Sequence, residues 1–94
     1  MIGRQSKEER DAQDAKAARR AQDARAITEN PLFADAFEAV KDKHLQAIQD
    51  SAPRDKDARE NAYHALRILK MVRQELEAEI QGGALAAKRM KEDL

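Results

Sequence analysis

The chain has no cysteine and no tryptophan, and aromatic residues make up only 3% of its 94 positions. Without cysteine there is no disulfide framework and no thiolate zinc site. No stretch approaches the roughly 18 consecutive apolar residues that a membrane span requires. No apolar h-region follows the N-terminus either, so neither a secretory leader nor a membrane partner is expected. An excess of one charge is also missing: 18 Lys and Arg balance 18 Asp and Glu. A neutral chain is not a bulk polycation for nucleic acid or anionic lipid. These absences point to a cytoplasmic protein. What the chain does have is charge, at 38% of residues, and a 41% hydrophobic share drawn heavily from alanine.

Between Ile2 and Ile27 no Val, Leu, Met or Phe occurs. The segment is built from Ala, Asp, Arg, Lys and Gln, and it repeats. Ala12-Gln13-Asp14-Ala15-Lys16-Ala17 returns nine residues later as Ala21-Gln22-Asp23-Ala24-Arg25-Ala26. Helix propensity is high, and Ser6 with Glu9 fits a capping box. The alanines step by three and so drift around a helix instead of forming a stripe. Residues 1–28 are therefore expected to be a solvated or conditionally helical charged arm.

Asn30-Pro31 opens a different pattern, since Asn caps well and Pro at the first helical position sacrifices no hydrogen bond. A helix is expected over 31–50, with Phe33, Phe37, Val40, His44, Ala47 and Ile48 on an arc of about 100°. Ser51-Ala52-Pro53 breaks it. Asp55 or Asp57 can cap a helix over 56–81, and Asp57 with Glu60 resembles a second capping box. Ala58, Ala62, Ala65, Leu66, Leu69, Val72, Leu76 and Ile80 share an arc of about 120° on it. Gly82-Gly83 reads as its stop, with a short tail helix in 84–94. No segment alternates with period two, so the expected class is all-α.

Two amphipathic helices joined by a short turn predict an antiparallel hairpin over 29–83. Its core would be Phe33, Phe37, Val40, Ile48, Leu66, Leu69 and Val72, with Phe37 facing Leu69, Val40 facing Leu66, and His44 beside Ala62 and Tyr63. Leu76 and Ile80 extend past the shorter helix, and Ile27, Leu32, Leu85 or a second chain would have to cover them. A hairpin this small buries too little to be stable alone. Leu32, Leu45, Ile68 and Met71 lie off the core stripe and, with Leu76, Ile80 and Leu85, are the expected subunit interface. Lys56, Arg59, Arg67, Lys70 and Arg73 flank the stripe on one side, and Asp57, Glu60, Glu75 and Glu79 on the other. Such polarity suits head-to-tail packing of a homo-oligomer.

Catalytic patterns are absent. The hydroxyls of Ser6, Thr28 and Ser51 sit where caps and turns use them, and no phosphate loop opens a helix. His64 reads as an exposed neighbour of Glu60, one turn away. His44, in the middle of an apolar stripe, reads as a part-buried ring. No catalytic residue, cofactor or metal is expected. Residues 1–28 carry a net charge of +2, residues 29–52 carry −3 and residues 53–94 carry +1. Lys16, Arg19, Arg20 and Arg25 in the arm, with Lys88 and Arg89 in the tail, are the candidate nucleic-acid contacts. No aromatic residue lies among them to stack on bases, so such contact would be weak and non-specific.

Glu29-Asn30-Pro31-Leu32-Phe33, followed by Ala36-Phe37, resembles the opening of a group of small helical proteins of tailed phages and prophage elements. The runs Arg54-Asp55 to Arg59-Glu60 and Ile80-Gln81-Gly82-Gly83 to Leu85-Ala86 are similar to the same pattern, which spans residues 29–87. The hairpin also resembles the oligomerisation core of small terminase subunits. That resemblance implies a non-enzymatic ring-forming adaptor in phage DNA packaging, with the large terminase motor as partner. The chain departs from that family in having only the Ala/Arg/Asp arm where a compact DNA-binding domain is usual. Phage scaffolding or head assembly, docking on coat protein, is the alternative, and a small inhibitor of a host protein is a third reading.

Overall fold

The first two helices each start where a short polar side chain serves a free amide of the first turn. The computed structural model describes residues 6–92, which form α1 (Lys7–Thr28), α2 (Pro31–Asp50) and α3 (Lys56–Glu92), with no strand among them. The fold is all-α. Arg4 of the basic arm and residues 93–94 of the expected tail lie outside the described residues. Before α1, the Ser6 hydroxyl accepts from the Glu9 amide at 3.1 Å, one half of the expected box. Before α2, Asn30 Oδ1 accepts from the amides of Leu32 and Phe33 at 2.9 and 3.2 Å.

The turn between α2 and α3 is tied by side chains. Ser51 Oγ donates to the Ile48 carbonyl at 2.7 Å, closing α2. Asp55 Oδ2 accepts from the Ala52 amide at 3.2 Å, while the Asp55 amide donates to the Ala52 carbonyl at 2.9 Å. Asp55 therefore stands directly before α3, and Asp57 lies inside its first turn, where a carboxylate suits the helix dipole. Arg59 clamps the turn from within α3: Nη1 donates to the Ala52 carbonyl at 2.6 Å and to Ser51 Oγ at 3.3 Å, and Nη2 to the Pro53 carbonyl at 2.9 Å. Sequence placed Arg59 among solvated flank charges; here it holds the backbone that Pro53 leaves without a helix.

α3 runs through Gly82-Gly83 without interruption to Glu92, so the expected stop and the separate tail helix are one continuous helix. Two mid-helix glycines each cost about 1 kcal/mol relative to alanine, which packing has to offset. The chain divides into two compact units, one of α1 with α3 from Leu76 onward and one of residues Thr28–Glu75.

In the first unit α1 is not a solvated arm. Ala21 and Ala24 are buried, as are Gly83 and Ala86 of α3. Asp14, Ala17, Ala21 and Ala24 are spaced three, four and three residues apart, the spacing of a helix seam. The nine-residue repeat turns its two copies about half a revolution apart. Its first copy accordingly contributes Asp14 and Ala17 to the seam, and its second contributes Ala21 and Ala24. A Cβ placed on Gly83 would overlap the Ala21 Cβ and lie 2.9 Å from the Ala17 carbonyl oxygen, so the two backbones approach closely. Arg20 pairs with Glu79 and Asp14 with Arg89, so position falls along α3 as it rises along α1: the helices are antiparallel. Leu76 and Ile80, which needed cover, are half-buried in this unit.

In the second unit, contacts join Glu38 to Arg73 and Ser51 to Arg59. Ala62 is buried, while Phe33, Phe37, Ile48, Leu66 and Leu69 are half-buried. Val40 and Val72, expected in the core, are 40% and 48% exposed. A helix has one neighbour here, and a single neighbour covers a narrower strip than an arc of 100–120°. No large side chain among the described residues is fully buried.

Candidate association surface

A groove of about 320 Å³ lies between α2 and α3, lined by Phe37, Lys41, Leu45, Leu66, Leu69, Lys70 and Arg73. Its apolar floor follows from the Phe33–Ile48 and Ala58–Ile80 stripes, which meet along it. Phe33 and Phe37, one turn apart, hold ring centroids 6.0 Å apart at an interplanar angle of 33°. Phe37 lines this groove with Leu66 and Leu69, and the guanidinium of Arg73, one turn beyond Leu69, lies 5.8 Å from the Phe37 centroid. The same guanidinium is 4.0 Å from Glu38 Oε1. Three cations therefore border an apolar cleft. Lys41 was not legible as part of it, because a charge between Phe37 and Leu45 on the wheel scores as solvent-facing until the neighbouring helix is placed.

Among the residues expected to form a subunit interface, Leu32 (77% exposed), Leu45, Ile68, Met71 and Leu85 are all exposed. Leu76 and Ile80 are half-buried instead, because α1 and this part of α3 share one unit. Leu32 and Leu45 are on α2, Ile68 and Met71 on the first part of α3, and Leu85 near its end.

The candidate nucleic-acid residues separate into two sets. Arg20 is held by Glu79 through two parallel bonds, Nε to Oε2 at 2.9 Å and Nη2 to Oε1 at 2.8 Å. Arg89 Nη2 donates to Asp14 Oδ1 at 2.8 Å. Those two guanidiniums brace the first unit, and Arg25 also has a partner. Lys16, Arg19 and Lys88 remain exposed. His44 is half-buried and His64 exposed, and no group of three or more metal-ligating side chains occurs among the described residues. None of the helices is long and apolar enough to cross a membrane among the described residues.

The bond from Arg20, reinforced by its charge, holds the Glu79 carboxyl below its ordinary value, against a smaller opposing effect of desolvation. A carboxyl depressed in the folded state stabilises the fold above its unfolded pKa and loses that contribution as pH falls through the folded one. The stability advantage of the native chain over Glu79→Gln should be full at pH 7 and shrink below about pH 4. Urea midpoints measured at pH 7 and pH 3 test this; an equal gap at both would show that the charge of Glu79 contributes nothing.

No protein-family model, curated protein or solved structure matches this chain. Its function therefore has to be argued from its own surfaces.

Proposed function

We propose that this protein is a non-enzymatic helical adaptor that completes its apolar surface by associating with copies of itself. The observation that carries this reading is the inverted burial of the Thr28–Glu75 unit. Leu32, Leu45, Ile68, Met71 and Val72 are exposed while the buried hydrophobic residues of the described chain are alanines. Alanine contributes roughly one methyl's worth of transfer free energy, about 1 kcal/mol, so such a core leaves little stability to spare. Association would bury the larger side chains. The reading takes Thr28–Glu75 as an antiparallel hairpin, supported by the Glu38–Arg73 and Ser51–Arg59 contacts.

Its place in biology comes from the resemblance of residues 29–87 to small phage proteins and small terminase subunits. On that basis the adaptor serves phage DNA packaging as a reduced small terminase, engaging the motor protein, with weak DNA contact through Lys16, Arg19 and Lys88. Scaffolding in head assembly is the second reading, favoured by the same exposed apolar side chains.

Mass measurement in solution, across concentration, tests the proposal. A closed oligomer of about eight to twelve subunits supports the packaging ring, and a dimer or open-ended series supports scaffolding. A monomer that persists at high concentration overturns both.

A further inference from the structure

We propose that the groove between α2 and α3 receives the opposite face of α3 from a second copy of this chain. The inference rests on the self-association reading and specifies its two surfaces. The groove has a floor of Phe37, Leu66 and Leu69 and a basic border of Lys41, Lys70 and Arg73. Across α3 from it, Ile68, Met71, Val72 and Glu75 follow one another at i, i+3, i+4 and i+7. That is the spacing by which a helix face seats in an apolar groove. Ile68 and Met71 are each 60% exposed, so no segment of their own unit covers them.

Charge selects the pairing. Glu75 ends the ridge on a carboxylate, one turn beyond Met71. A ridge that ends on Glu75 suits a groove bordered by Lys41, Lys70 and Arg73, and two ridges placed together would set like charges side by side. Glu38 already meets Arg73 at 4.0 Å, a long pair that an incoming Glu75 can share. Methionine adds an adaptable side chain at the centre of the ridge. Ridge and groove are different surfaces of one molecule, so each copy uses both, and the contact is heterologous. Repetition of such a contact closes into a ring or extends as a filament.

Two double variants of the full chain test the assignment, with circular dichroism confirming that each stays helical. Ile68→Ser with Met71→Ser removes the ridge, and Lys41→Glu with Lys70→Glu reverses the border of the groove. All four side chains are exposed or at the rim, so the helices do not depend on them. Each variant alone should associate at least roughly tenfold more weakly than the native chain. Mixed together they should form a one-to-one complex that grows no further, because one copy retains the groove and the other the ridge. Native association that survives in either variant overturns the ridge-and-groove assignment while leaving self-association standing. Loss in both variants with no complex on mixing overturns the heterologous contact. A native chain that is itself monomeric overturns the self-association reading and this inference with it.

Discussion

Gly83→Ala should destabilise the protein by roughly 1–3 kcal/mol, whereas Gly82→Ala should stabilise it by about 0.5–1 kcal/mol. The two glycines are adjacent on one helix and identical in intrinsic preference, so their opposite signs isolate packing from propensity. At Gly82 a new Cβ meets nothing within 4 Å, and only the helical gain remains. At Gly83 it overlaps the Ala21 side chain and crowds the Ala17 carbonyl at 2.9 Å. Both of those neighbours are close to backbone, so they cannot rotate away as the end of a long side chain would. α1 must then move off α3, and the short contacts along Ala17, Ala21 and Ala24 loosen together. Thermal unfolding followed by helical ellipticity measures both variants. If Gly83→Ala is as stabilising as Gly82→Ala, α1 does not approach α3 at this distance.

Arg89→Met should cost about 2 kcal/mol, Asp14→Ala distinctly less, and the double variant should return close to the native stability. The asymmetry follows from exposure. Asp14 is 8% exposed and accepts from Arg89 at 2.8 Å, whereas the Arg89 side chain is largely in water. Removing Arg89 strands a carboxylate against an alanine face with no donor. Removing Asp14 releases a guanidinium that water solvates, and alanine there extends the small-residue seam. With both changed, the interface is apolar on both sides. Urea unfolding of the four chains gives the coupling directly. Equal costs for the two single variants would mean that Asp14 is solvated and the pair is incidental.

Both expectations concern a helix that sequence reading took as a solvated or conditionally helical arm. Before Ile27, α1 contains no residue with enough apolar surface to declare an inward face, and its alanines at intervals of three point in every direction. The seam instead runs through Asp14, Ala17, Ala21 and Ala24, where one member is an acid. A carboxylate on a buried face is readable only once Arg89, 75 positions away, is known to meet it. Gly83 misled for a related reason. Glycine favours helix ends, and that preference wins unless a neighbouring backbone needs the missing Cβ. The half-buried stripe of Phe33, Phe37, Leu66 and Leu69 was legible, because large side chains at helical spacing leave one face to bury. Val40 and Val72 were overcounted, since width of an arc says nothing of how many helices stand against it.

The missing residue types with which the chain begins its description therefore had two different outcomes. Sequence alone determined the all-α class, the helix over 31–50, the caps at Ser6 and Asn30, and the break at Pro53, all of which depend on neighbours within a turn or so. Scarcity of aromatics likewise announced a core with little volume. Tertiary structure decided where most of that small core lies: in alanines and a glycine between α1 and α3, closed by Arg20–Glu79 and Asp14–Arg89, with Ala62 buried in the other unit. Small side chains carry almost no directional signal by themselves. Their value is in how near they let a second backbone come, and that is a property of two helices together.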